Sequence, residues 1–94
     1  MVSVLSDSEV QEQLAGVEGW RREGQAIERD LSFSDFAEAL DFLVRVGALA
    51  EAANHHPDML LHGWRKVRLT LSTHSEGGIT AADFKLAAEI DRIA

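Results

Sequence analysis

The 94-residue chain contains no cysteine, and its nine Lys/Arg are outnumbered by sixteen Asp/Glu. Without cysteine there is no disulfide scaffold, no thiolate metal site and no cysteine nucleophile, which fits a reducing compartment. A formal charge of −7 and a pI near 4.9 speak against nucleic acid as a direct partner, because phosphates need a clustered positive surface. The same balance disfavours an anionic membrane surface. No apolar run approaches the roughly 20 residues of a membrane span. The segment Met1 to Val10 carries Asp7 and Glu9 and no basic residue, unlike a signal peptide, so a cytoplasmic location is expected. Internal repeats, low-complexity stretches and linkers are also missing.

What is present is an ordinary globular balance, 46% apolar and 27% charged. The length predicts a single domain over residues 1–94. A domain this small buries a modest core, so a self-associating surface is expected.

Ser6-Asp7-Ser8-Glu9 matches a capping box and opens a first helix, with Val10, Leu14 and Val17 on one face and Gly16 to Gly19 as its end. Trp20 to Glu23 reads as a short strand, followed by a turn at Gly24-Gln25. Ile27, Leu31 and Phe33 then alternate with Glu28, Asp30 and Ser32, a half-buried strand that completes a hairpin. Ser34 or Asp35 caps a longer helix whose core stripe reads as Phe36, Leu40, Leu43, Gly47 and Ala50, with Phe33, Ala39 and Val46 beside it. That helix must stop before Pro57. Met59 to Leu61 and Lys66 to His74 read as strands, and Thr80-Ala81-Ala82-Asp83 as a second capping box opening a last helix. The order α-β-β-α-β-β-α predicts an α+β fold, a four-stranded antiparallel sheet with helices packed on one face. The other face is left for a partner or solvent.

Three of the four histidines fall at two places that this fold can bring together. His55 and His56 sit at the exit of the long helix, and His74 ends the last strand on its polar face. Glu51 lies one turn before His55 and is placed to reach that imidazole. Two neutral imidazoles facing one cavity can serve as acid and base near neutral pH. Two other readings fit the same residues: a helix C-terminal cap that complements the dipole, and a zinc site completed by a carboxylate. Adjacent histidines on an extended backbone diverge, which weakens the zinc reading. His62 reads as solvated. Asp83 is explained by capping alone, and Trp64 as either core or an aromatic wall for a flat ligand.

The string Glu51-x3-His55-His56-Pro57-x6-Trp64-x9-His74-x8-Asp83 resembles the signature of the pterin-4a-carbinolamine dehydratases. Gly19-Trp20, the segment Ile27 to Phe36, Leu71-Ser72-Thr73-His74 and Gly77-Gly78-Ile79-Thr80 match the family in order, so the resemblance covers nearly the whole chain. It implies dehydration of a 4a-hydroxytetrahydropterin to the quinonoid dihydropterin, alongside an aromatic amino-acid hydroxylase in tetrahydrobiopterin recycling. It further implies His55 and His74 as the acid and base, His56 as the residue positioning the pterin, and Glu51 and Asp83 as orienting the imidazoles. Asn54, His55, His56, Pro57, Trp64 and the run Ser72, Thr73, His74 and Ser75 would contact the substrate. No cofactor or metal is implied. A homodimer or homotetramer is expected.

Some features depart from the family pattern. Trp64 stands where many members carry tyrosine, with one additional residue after Pro57, so the third strand is expected to start with a bulge. Ser75 replaces a frequent acidic residue and Ala82 a basic one. Some animal members of the family also act as dimerisation cofactors for homeodomain transcription factors, which makes a protein-binding module the alternative. That role needs an exposed apolar face on the long helix, where Phe42 and Leu49 read as the exposed pair. The lack of an N-terminal extension resembles the compact microbial members and ranks this alternative behind the enzyme. The intact histidines argue against a third possibility, a degenerate and inactive homologue.

Overall fold

The computed structural model describes residues 3–94; Met1 and Val2, the first residues of the expected domain, lie outside it. In chain order the elements are α1 (Asp7–Leu14), β1 (Trp20–Glu23), β2 (Ala26–Ser32), α2 (Phe36–Ala53), β3 (Asp58–His62), β4 (Lys66–Leu71), a 3-10 turn (His74–Glu76) and α3 (Ala81–Ile93). This is the α+β order predicted from the sequence. Both capping boxes form: the Ser6 hydroxyl accepts from the Glu9 amide at 3.2 Å, and the Glu9 carboxylate accepts from the Ser6 amide at 2.8 Å. At the start of α2 it is Asp35 that caps, accepting from the Glu38 amide at 2.8 Å.

The sheet is antiparallel throughout, in the order β1-β2-β4-β3, so the two hairpins join through β2 and β4. Strand alternation sends Ile27, Val67, Leu69 and Leu71 to one face, where all four are fully buried. They meet Val10 of α1, Ala39, Phe42 and Val46 of α2, and Phe84, Leu86, Ala87 and Ile90 of α3 in one core. Each fully buried aliphatic side chain there stabilises the fold by roughly 1.5–3 kcal/mol relative to exposure. The indole N–H of Trp20 donates to Asp91 at 2.8 Å, and the Arg29 guanidinium pairs with the same carboxylate. Together they hold the end of α3 against β1 and β2.

The opposite sheet face is polar. Arg21 bridges Glu28 at 2.9 Å and Asp30 at 3.0 Å, Arg68 donates to Asp30 at 2.8 Å, and the Thr70 hydroxyl donates to Glu28 at 3.0 Å. The Arg68 hydrogen bond holds the Asp30 carboxyl below its usual value. Such exposed pairs contribute little to stability individually. They give this face a ladder of ion pairs, with Leu60 of β3 as an exposed apolar residue on it.

Two expectations are corrected. The core stripe of α2 is rotated: Ala39, Phe42, Val46 and Ala50 are buried and Leu43 and Leu49 pack at its margins, whereas Phe36, Leu40 and Val44 face outward. The helix is apolar on most of its circumference, so periodicity alone does not say which stripe faces the sheet. Phe42, read as exposed, packs on Phe33 with ring centroids 4.9 Å apart. The second correction concerns β3, which pairs with β4 without a bulge, in continuous register from Asp58↔Thr70 to His62↔Lys66. In the turn that follows, Gly63 and Trp64 both take left-handed backbone angles, φ 54° and 55°.

Candidate active site

The exit of α2 sets the geometry of the first two histidines. Asn54 closes the helix in the left-handed conformation (φ 50°, ψ 43°), and the His55 amide reaches back to the Ala50 carbonyl at 3.1 Å. Asn tolerates that conformation better than other residues bearing a Cβ, because its short polar side chain can bond locally. The reversal removes His55 from the helical face of Glu51. The imidazoles of His55 and His56 therefore diverge, as expected of neighbours on an extended backbone.

His55 turns inward, its side chain 14% exposed, and its Nε2 lies 2.5 Å from Asp83 Oδ1. His56 turns outward and its Nε2 meets Glu51 Oε2 at 2.5 Å. Glu51 was expected to reach His55; the reversal at Asn54 hands it His56 instead. Among the described residues, no three His, Cys, Asp or Glu side chains gather as a metal site.

Asp83 is wholly buried, and each of its oxygens has partners. Oδ2 accepts from the Thr80 amide at 2.9 Å, completing the α3 capping box, and from the Thr73 hydroxyl at 2.9 Å. Capping, the plainer sequence reading of Asp83, thus occupies one oxygen and leaves Oδ1 for His55. A carboxylate at Asp83 only accepts, so His55 presents its Nε2–H to it, and a neutral His55 in this arrangement is the Nε2–H tautomer with Nδ1 free.

His74 was expected to end the last strand; β4 instead stops at Leu71, and His74 opens the 3-10 turn directly after Thr73 and is exposed. The Thr73 amide donates to the Gly78 carbonyl at 2.9 Å, while the Thr73 carbonyl accepts from the amides of Glu76 and Gly77 at 3.0 Å. Gly77, at φ 73°, supplies the left-handed residue that closes this small loop. The loop thus hangs His74 beside the Thr73–Asp83–His55 contacts. The Ser72 hydroxyl donates to the Gln25 carbonyl at 2.7 Å, toward the β1–β2 turn. Ser75 and Asn54 are exposed and Pro57 is half-buried.

Trp64 stands apart. It is 60% exposed in the β3–β4 turn with Arg65 over its ring at 5.4 Å. The full five-residue length of β3 separates that turn from Pro57, roughly 16 Å at strand rise. Within one chain it does not join the histidines. A cavity of about 300 Å³ also lies at that far end, lined by residues including Asp30, His62, Lys66 and Arg68. Thr80 is the member of the cluster that sequence reasoning used only as a cap; its hydroxyl lies 2.7 Å from that of Thr73. The signal available was two threonines in the ten residues before a capping aspartate, which is too common to single out.

Residues 3–93 match the family model described as pterin 4 alpha carbinolamine dehydratase. The chain belongs to the pterin-4a-carbinolamine dehydratase family. Relatives within that family include a protein of Roseiflexus castenholzii, 48% identical over 93 residues and covering 99% of both chains. Another, from Mycobacteroides abscessus, is 43% identical over 90 residues, covering 96% of this chain and 95% of its own. Both are provisionally named pterin-4-alpha-carbinolamine dehydratase. The fold superposes with a TM-score of 0.92 on a crystal structure described as a transcriptional coactivator/pterin dehydratase from Brucella melitensis, at 36% identity and over 98% of this chain and 99% of that one. A pterin dehydratase-like protein identified as a RuBisCO assembly factor in the alpha-carboxysome gives a TM-score of 0.68 at 28% identity, over 82% of this chain and 90% of that one. Membership of the pterin-4a-carbinolamine dehydratase family supports a dehydratase acting on a pterin.

Proposed function

We propose that this chain dehydrates a 4a-hydroxytetrahydropterin to the quinonoid dihydropterin and water. The C4a–O bond breaks as its oxygen gains a proton, and N5 gives up its proton as the C4a=N5 double bond forms. His55 and His74 serve as the acid–base pair, one at each end of this elimination, and His56, steadied by Glu51, positions the pterin. The observation that carries this reading is the placement of His74 on the loop next to Thr73, whose hydroxyl touches the carboxylate that holds His55. Asn54, Pro57 and Ser75 flank these imidazoles and would line the pterin plane. The chain needs no metal or cofactor for this step. The substrate would arise in the cytoplasm from an aromatic amino-acid hydroxylase, and a reductase would consume the product.

The test is a spectrophotometric assay in which a 4a-hydroxytetrahydropterin is generated in situ. Wild-type protein should accelerate loss of the intermediate, and His55→Ala and His74→Ala should each lower turnover about a hundredfold or more, the usual scale of acid–base contributions. Near-normal turnover in both variants would remove the histidines from the mechanism.

A second reading rests on the outward stripe of α2, where Phe36 is 49%, Leu40 42% and Val44 72% exposed. An apolar row of this kind suits a second copy of the chain in a homodimer or homotetramer, or else an amphipathic helix of a partner. The names of two structural neighbours, a transcriptional coactivator/pterin dehydratase and a RuBisCO assembly factor, favour a protein partner as the second of these.

A further inference from the structure

We infer that Thr73 is a positioning residue for the proposed reaction, coupling the two histidines through one side chain and one peptide unit. The inference rests on the dehydratase reading for its kinetic consequence and on geometry for its content.

Thr73 does two things at once. Its amide and carbonyl close the loop that presents His74, through Gly78, Glu76 and Gly77. Its side chain points the other way, into the interior, where the residue is only 8% exposed and the hydroxyl reaches Asp83 Oδ2 at 2.9 Å. The opposite oxygen of that carboxylate holds His55 Nε2. A displacement of the His74 loop is therefore transmitted to the carboxylate that orients His55. The Thr73 hydroxyl is engaged in this internal bond, so any contact of Thr73 with substrate would fall to its other atoms.

The direction of every proton in the cluster follows from its chemistry. Asp83 accepts only, so Thr73 donates to it. The Thr73 oxygen is then free to accept, and the Thr80 hydroxyl, 2.7 Å away and fully buried, donates to it. The Thr80 oxygen in turn accepts from the Ala82 amide at 3.2 Å. The chain runs Thr80 to Thr73 to Asp83, and His55 meets it from the other side. Bonds aligned head to tail polarise one another, and the β-branched threonines hold few rotamers. No buried side-chain nitrogen or oxygen among the described residues is left without a partner. With Asp83 as a carboxylate the cluster has one satisfied arrangement of donors, and in it a neutral His55 takes the Nε2–H tautomer.

Thr73→Val keeps shape and removes the hydroxyl, whereas Thr73→Ser keeps the hydroxyl. The primary measurement is the imidazole ¹⁵N spectrum, which reports tautomer without reference to turnover. In wild-type protein His55 should show the Nε2–H tautomer. In Thr73→Val it should become a mixture, with His56, held by Glu51 outside the cluster, unchanged as the internal control. In the dehydration assay Thr73→Val should lower kcat about tenfold or more, on the scale seen when the outer partner of a functional imidazole is removed, with little change in KM. Thr73→Ser should restore both signals. Should Thr73→Val not fold, Thr80→Val and Thr80→Ser make the same comparison one bond further out; Thr80→Val gives up the N-cap bond from the Ala82 amide, while the Thr80 amide still donates to Asp83. An unchanged His55 spectrum in the folded valine variants would overturn the inference. A shifted spectrum in a protein whose wild type has no dehydratase activity would uphold the coupling and reject the dehydratase reading.

Discussion

A carboxylate without exposed surface costs several kcal/mol unless donors meet it. Asp83 meets the Thr80 amide, the Thr73 hydroxyl and His55, drawn from three separate stretches of chain. Glu51 has one partner, His56, and its side chain is 78% exposed. The two acidic residues should therefore behave differently. Asp83→Ala removes the carboxylate half of the α3 capping box and strands three partners, so it is expected to destabilise the protein by about 2–4 kcal/mol, as for several buried groups left unsatisfied. Glu51→Gln is expected to leave stability within about 0.5 kcal/mol, as at an exposed site. Urea midpoints at constant m-value separate the two, and equal midpoints for both variants would contradict the burial of Asp83.

At the scale of elements, α2 is the instructive one because both of its faces are apolar. The sheet takes Ala39, Phe42, Val46 and Ala50, and leaves Phe36, Leu40 and Val44 outside. Two phenylalanines of one helix thus make opposite predictions. Phe42→Ala should cost about 3–5 kcal/mol of unfolding free energy, the range for a buried aromatic, through lost contact and the cavity left behind. Phe36→Ala should leave the stability of an isolated protomer nearly unchanged. Denaturant titrations of both variants decide the matter, and a large effect at Phe36 with a small one at Phe42 would restore the stripe expected from sequence. The β3–β4 hairpin carries a related lesson. Its extra residue led to the expectation of a bulge, and the continuous pairing of all five β3 residues with β4 excludes one there.

For the molecule as a whole, an exposed apolar row on a chain of net charge −7 is the feature most in need of a cover. The polar sheet face has its own ladder of ion pairs and makes no comparable demand. The expected cover is a second copy, so light scattering at micromolar concentration should give a dimer or tetramer. Leu40→Glu together with Val44→Glu should reduce the mass to that of a monomer without unfolding the chain, since both side chains already face outward. A wild-type monomer would instead direct attention to a partner helix.

The sequence by itself determined the element order, both capping boxes and the alternating strands, because those depend on residues within a turn or two of one another. It also singled out His55, His56, His74, Glu51 and Asp83 as candidate site residues, through spacing that resembles one family. Only the tertiary structure decided which carboxylate serves which imidazole, since the left-handed Asn54 turns His55 toward α3, 28 residues away in sequence, and gives Glu51 to His56. It also decided which stripe of α2 is buried, and that Thr73 and Thr80 share one proton chain with Asp83. Local chemistry fixes where a helix begins and which way a strand alternates. Contacts between residues remote in sequence depend on how the elements dock, and a helix apolar on most sides or a threonine between two polar neighbours admits several dockings until the core selects one.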